Sequence, residues 1–101
     1  MAAEPIRVVI ADDADIIRKA ISQLLRDCKT AKVVGEAADY TNAMTVVAKL
    51  KPEVLVADVH MPGQIDPATF KKSLEGCCLI AMSIWNDEET KSLAESYGAF
   101  N

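Results

Sequence analysis

Four residues stand where chemistry could be done. Asp12 and Asp13 follow the apolar run 6–11, Asp58 follows the run 54–57, and Ser83 follows the run 79–82. Each run is short and rich in Val, Ile or Leu, the pattern of a strand buried on both faces. Where such strands lie parallel in one sheet, three carboxylates and a hydroxyl converge on one edge from distant parts of the chain. Two carboxylates about 4 Å apart repel by about 4 kcal/mol at an effective dielectric of 20, a substantial share of a domain's stability, so an unneutralised cluster is disfavoured. A bound cation is the simpler account. Oxygen donors without a converging set of His or Cys favour a hard ion. A site with few protein ligands, leaving room for water and phosphate oxygens, favours Mg²⁺ over Ca²⁺.

The elements that would position these residues are legible as alternating patterns. Strands are expected at 6–11, 32–37, 54–57 and 79–82. Between the first two, Ile17, Ala20, Ile21, Leu24, Leu25 and Cys28 recur at i, i+3, i+4 spacing and predict an amphipathic helix over 14–28. A second helix is expected over 40–50, opened by Asp39 as N-cap and stopped by Pro52, with Met44, Val47 and Leu50 facing inward. Asp66 followed by Pro67 is a cap with proline at the first helical position, opening a short helix to about Leu74. Asn86 with Glu89 three positions later has the form of a capping box. Asp87 and Glu88 suit the positive end of the dipole, and Gly98 can close that last helix. Four strand-helix alternations predict an α/β class with a mostly parallel sheet. Right-handed crossovers then put the C-terminal ends of all strands on one edge.

The 101 residues suit one domain, and at 50% hydrophobic they are enough for one core. Eleven Lys and Arg against 15 Asp and Glu give a formal charge of -4, so no global charge draws the chain to nucleic acid or an anionic membrane. The apolar runs are too short for a membrane span or a signal-peptide core, and a cytoplasmic location is expected. Cys28, Cys77 and Cys78 form an odd set without CxxC spacing, which argues against a disulfide framework and a zinc site and for reduced core thiols.

The acidic pair after the first strand, the run VLVADVHMPG around Asp58, Ser83 ending the fourth strand, and the Gly98-Ala99 pair together resemble the response-regulator receivers of bacterial two-component signalling. The resemblance covers essentially the whole chain, and Val34-Gly35-Glu36-Ala37 and Lys51-Pro52-Glu53 add to it. It implies a single receiver domain over 1–101 with a flavodoxin-like, doubly wound parallel sheet in strand order 2-1-3-4-5. It makes Asp58 the phosphoacceptor, charged from a phosphohistidine on a sensor histidine kinase or phosphotransfer protein. Asp13 and Asp58 would ligate Mg²⁺ directly, Asp12 directly or through water, and the backbone carbonyl of His60 would complete the protein ligands. Ser83 would donate a hydrogen bond to the phosphoryl group and act as a switch, while the His60 imidazole is assigned no chemistry. Elementary chemistry agrees with these residue types. A carboxylate is a weak nucleophile toward an anionic phosphoryl group, and a metal offsets charge while aligning the displacement. Adding close to two negative charges at this edge should favour a conformer with Ser83 and the following loop drawn inward, so the output is a population shift.

Departures from the family pattern set further expectations. The Lys that receivers place about seven residues after the Gly of the GA pair, and the aromatic switch residue before it, would fall beyond Asn101. The fifth strand and fifth helix are therefore expected to be missing or incomplete, leaving one sheet face partly uncovered. Ile84 stands where receivers often have a small residue, and with Trp85 it is expected to modulate access to the site. Taken singly, Asp12 and Asp13 could be helix caps, Asp58 a turn acid, Ser83 a loop hydroxyl and Trp85 loop packing; the joint placement carries the sharper reading. Two alternatives remain: a receiver-like interaction module independent of phosphorylation, and an Mg²⁺-dependent aspartyl-phosphate phosphohydrolase. Haloacid-dehalogenase-type enzymes usually have a second Asp two positions after the nucleophile, where this chain has His60, which weakens the second. No enzymatic activity is expected beyond the chain's own phosphorylation and dephosphorylation. A fused DNA-binding output domain outside this chain and a second copy of the chain are the further partners the resemblance allows, with no direct nucleic-acid or membrane contact by this domain.

Overall fold

Four strands and four helices alternate along the chain: β1 (Ile6–Ala11), α1 (Asp15–Arg26), β2 (Ala31–Ala37), α2 (Tyr40–Leu50), β3 (Val54–Asp58), α3 (Pro67–Ser73), β4 (Cys78–Met82) and α4 (Glu88–Ser96). The structure is a computed structural model that describes residues 4–61, 65–82 and 88–98. The described strands form one sheet in the order β2-β1-β3-β4, every neighbouring pair parallel. The order agrees with the first four places of the expected 2-1-3-4-5 arrangement. No helix among the described residues is long and apolar enough to cross a membrane.

The helix boundaries follow from local chemistry. Asp39 caps α2 by accepting from the Asn42 amide at 2.7 Å. Asp66 caps α3 by accepting from the Thr69 amide at 3.0 Å, with Pro67 in the first turn. In both cases a carboxylate satisfies an amide that the helix itself leaves without a partner. Lys51 ends α2 in the left-handed region at φ 48, and Pro52 bars continuation. Gly98, at φ 85, follows α4 as expected. Asn86, the expected cap of α4, and Asp87, expected to suit its dipole, lie outside the described residues.

Alternation along the strands divides the side chains between two faces. On one face Val9, Ala11, Leu55, Ala57 and Leu79 are buried under Tyr40, Ala43 and Val47 of α2, Phe70 of α3 and Tyr97 after α4. Met44 and Leu50 pack on the margin of that cluster. The approach of α2 is close enough that Gly35 of β2 has no space for a side chain. A Cβ there would lie 2.8 Å from Leu50 Cδ1 and 3.0 Å from Val46 Cγ1.

The other face is only partly covered among the described residues. The apolar stripe of α1 is present, but none of the helix's residues is buried. Leu24 is 76% exposed, and on β4 Ile80 is 43% exposed. Helical periodicity reports which residues share a side, while burial depends on what packs against that side. Among the described residues α1 packs mainly against β1 and β2, and Ile80 at the β4 end of this face stays partly exposed. The cysteines correct the expectation of three core thiols. Cys77 packs against the core, Cys28 is half-buried beyond the end of α1, and Cys78 is exposed.

Candidate functional site

Parallel pairing brings the ends of β1 and β3 side by side, Ala11 opposite Ala57. Asp12 extends the edge by one residue, its amide donating to the Ala37 carbonyl of β2 at 3.0 Å. Its carboxylate turns back to accept the Ala14 amide at 2.8 Å, a short Asx turn that launches α1. Asp12 is buried, the only buried charged residue among those described. Ala14, not either aspartate, is the N-cap of α1, and its side chain offers no capping hydrogen bond. The local reading of Asp12 and Asp13 as ordinary helix caps therefore fails.

Asp58 is the last residue of β3 and is paired in register with Met82. One of its carboxylate oxygens, Oδ1, accepts the His60 amide at 2.9 Å. The intervening Val59 amide donates to the Met82 carbonyl at 3.1 Å. Asp12, Asp13 and Asp58 each offer a carboxylate oxygen, and these atoms all lie within 4.8 Å of one another. The sequence-level expectation that residues 46 positions apart meet at one sheet edge is thereby met for these three.

Burial pushes the Asp12 carboxyl above its ordinary range; the Ala14 amide opposes this, and the neighbouring charges of Asp58 and Asp13 reinforce it. Each cause is the expected one for a carboxylate taken out of water beside like charges. The pocket therefore favours a bound positive charge. Three oxygen donors on the same edge, from one buried, one half-buried and one exposed residue, fit a hard divalent ion that keeps several water ligands, as Mg²⁺ does.

Arg18 was not singled out by sequence. Its guanidinium donates to the Asp12 backbone carbonyl at 2.6 Å, pairs with Asp15, and approaches Glu36 of β2 at 3.4 Å. It braces the first turn after β1 while directing its hydrogen bonds at groups other than the clustered carboxylates. The available signal was its i+3 spacing from Asp15 on a helical pattern. Tyr40 was also missed: its hydroxyl donates to the Val59 carbonyl, 19 residues away. Nothing local in the sequence marks that contact. His60 is an exposed residue of the turn that follows Asp58. Ser83, Ile84 and Trp85 lie outside the described residues.

A family model for the response regulator receiver domain matches residues 8–101. The chain is 44% identical over 59 residues to protein-glutamate methylesterase/protein-glutamine glutaminase 5 of Myxococcus xanthus, covering 58% of this chain and 17% of that protein. It is 40% identical over 58 residues to the response regulator GacA of Pseudomonas viridiflava, covering 57% of this chain and 27% of that one. It thus spans less than a third of the length of either relative. Among solved structures, the signal receiver domain of the putative response regulator NarL from Mycobacterium tuberculosis superposes with a TM-score of 0.85 at 27% identity, over 96% of this chain and 81% of that one. The parallel sheet in the order β2-β1-β3-β4, the carboxylates gathered at its C-terminal edge and the match over residues 8–101 lead to one assignment: the chain belongs to the family of response regulator receiver domains of two-component systems.

Proposed function

We propose that this domain takes a phosphoryl group on Asp58 in an Mg²⁺-dependent reaction and thereby switches the surface it offers to partners. The observation that supports this most directly is the meeting of Asp12, Asp13 and Asp58 oxygens within 4.8 Å of one another. An Asp58 carboxylate oxygen attacks the phosphorus of a phosphohistidine on a sensor histidine kinase or phosphotransfer protein. The new O–P bond forms as the P–N bond breaks, and the imidazole leaves with the electron pair and gains a proton. The product on this chain is an acyl phosphate. The His60 amide restrains Asp58 Oδ1 during the attack. Asp12, Asp13 and Asp58, with the His60 carbonyl, are the groups that would hold the ion. Mg²⁺, when bound, would offset the charge of carboxylates and phosphoryl oxygens and align the displacement.

Ser83 follows Met82, the register partner of Asp58, and we assign it the hydrogen bond to the phosphoryl group and the switching role. Ile84 and Trp85 are assigned to access. We assign the domain to the cytoplasm, where a DNA-binding output domain outside this chain is one candidate partner. Incubation with acetyl phosphate, followed by intact-mass measurement, tests the reading. One phosphoryl group is expected on the wild type with Mg²⁺, none in EDTA and none on Asp58→Asn. An unmodified wild type with Mg²⁺, or an equally modified Asp58→Asn, would contradict it.

A further inference from the structure

Tyr40, the first residue of α2, is buried, and its ring stands among two others drawn from different elements. Phe70 of α3 lies edge-on at 5.3 Å and Tyr97 at 5.5 Å, while Phe70 and Tyr97 are themselves 5.2 Å apart. These are the separations at which aromatic rings attract beyond simple area burial. The cluster fixes where the Tyr40 hydroxyl points, and that hydroxyl donates to the Val59 carbonyl.

The Val59 carbonyl and the His60 amide belong to one peptide unit. The unit is trans, with no cis bond among the described residues, so its C=O and N–H point in opposite directions from a rigid plane. One end of that plane is held by Tyr40, and the other donates to Asp58 Oδ1 at 2.9 Å. On the near side, the Val59 amide is held by the Met82 carbonyl of β4 at 3.1 Å. A hydrogen bond accepted at a carbonyl also polarises the amide of the same unit and strengthens its donation. Burial, reinforced by the neighbouring Tyr97, raises the Tyr40 hydroxyl well above the ordinary phenol range, so the group remains a donor throughout the neutral range.

We propose that Tyr40 is a positioning residue for phosphorylation: through the Val59–His60 peptide it holds Asp58 Oδ1 in the attacking orientation, and Phe70 and Tyr97 hold Tyr40 itself. The proposal rests on the phosphoacceptor reading of Asp58. It also joins α2, α3 and the end of α4 to the turn beside the reacting carboxylate.

Tyr40→Phe tests it by keeping the ring and removing one oxygen. The rate of Asp58 phosphorylation by acetyl phosphate at saturating Mg²⁺ is expected to fall roughly tenfold, the effect of one net hydrogen bond. The backbone amide resonance of His60 and the carbonyl resonance of Val59 should shift in the same variant. Phe70→Leu, which loosens the cluster but keeps the hydroxyl, should lower the melting temperature with a smaller loss of rate than Tyr40→Phe. In the wild type, the Tyr40 hydroxyl proton should exchange slowly with solvent, a measurement that needs no variant to fold. A Tyr40→Phe rate equal to wild type, an unmoved His60 amide, or a rapidly exchanging hydroxyl proton overturns the proposal while leaving the phosphoacceptor reading intact. A wild type that takes no phosphoryl group overturns that reading, and the proposal falls with it.

Discussion

Asp12 is buried, and among the described residues no ion pair reaches its carboxylate. Its pKa is raised from the ordinary 3.8, by burial first and by the charges of Asp58 and Asp13 after it. The folded chain therefore holds a proton on Asp12 more readily than the unfolded chain does. The contribution to stability is most favourable below the unfolded pKa and declines as pH rises through the raised folded value, leaving ionised Asp12 a net cost at neutral pH without a cation. Asp12→Asn keeps an oxygen for the Ala14 amide and removes the charge. At neutral pH in EDTA it should raise the melting temperature. Mg²⁺ should then stabilise the wild type more than the variant, since ligand binding to the native state adds stability according to its affinity. A variant that melts lower than wild type in EDTA would contradict this account. The three aspartates were legible because each ends an apolar run and parallel topology forces those ends together. Arg18 and Tyr40 were not, because their roles lie in contacts with backbone carbonyls that no sequence pattern records.

Elements were legible where their signals are local. Asp39 and Asp66 each satisfy an amide three residues on, so the starts of α2 and α3 can be read from a few consecutive residues. Asp66→Ala should cost about 1 kcal/mol, measurable by urea unfolding. Packing is not local, and Gly35 illustrates it. The residue reads as part of a family-like Val-Gly-Glu-Ala run, but the reason for glycine is the Leu50 and Val46 side chains pressing on its position. Gly35→Val should destabilise by roughly 1 to 3 kcal/mol, with Leu50 or Val46 forced from their rotamers. An equally stable Gly35→Val would mean that α2 lies farther from β2 than the structure shows. The stripe on α1 shows the same division: its periodicity was legible in the sequence, while its exposure depends on what packs against that side.

At the scale of the whole fold, among the described residues, the sheet has one closed face and one that opens toward β4. Leu55 is fully buried on the closed face, whereas Ile80 on β4 keeps 43% of its surface exposed. Truncating a buried leucine removes both transfer energy and packing, so Leu55→Ala should cost about 2 to 5 kcal/mol. For this chain Ile80→Ala should cost no more than about 1 kcal/mol. Comparable losses at the two positions, measured by chemical denaturation, would show that the open face is covered in solution. The fold, legible as alternation of strand and helix, exists at this scale to bring Asp12, Asp13 and Asp58 to one edge, and the account depends on that edge accepting phosphate at one residue. Borohydride reduction of the chain after acetyl phosphate treatment, with peptide mapping by mass spectrometry, locates the acyl phosphate directly because the reduced aspartate becomes homoserine. Homoserine at position 58 alone, formed with Mg²⁺ and absent in EDTA, is the predicted result; homoserine at position 12 or 13, or unaltered aspartate throughout in the presence of Mg²⁺, would contradict it.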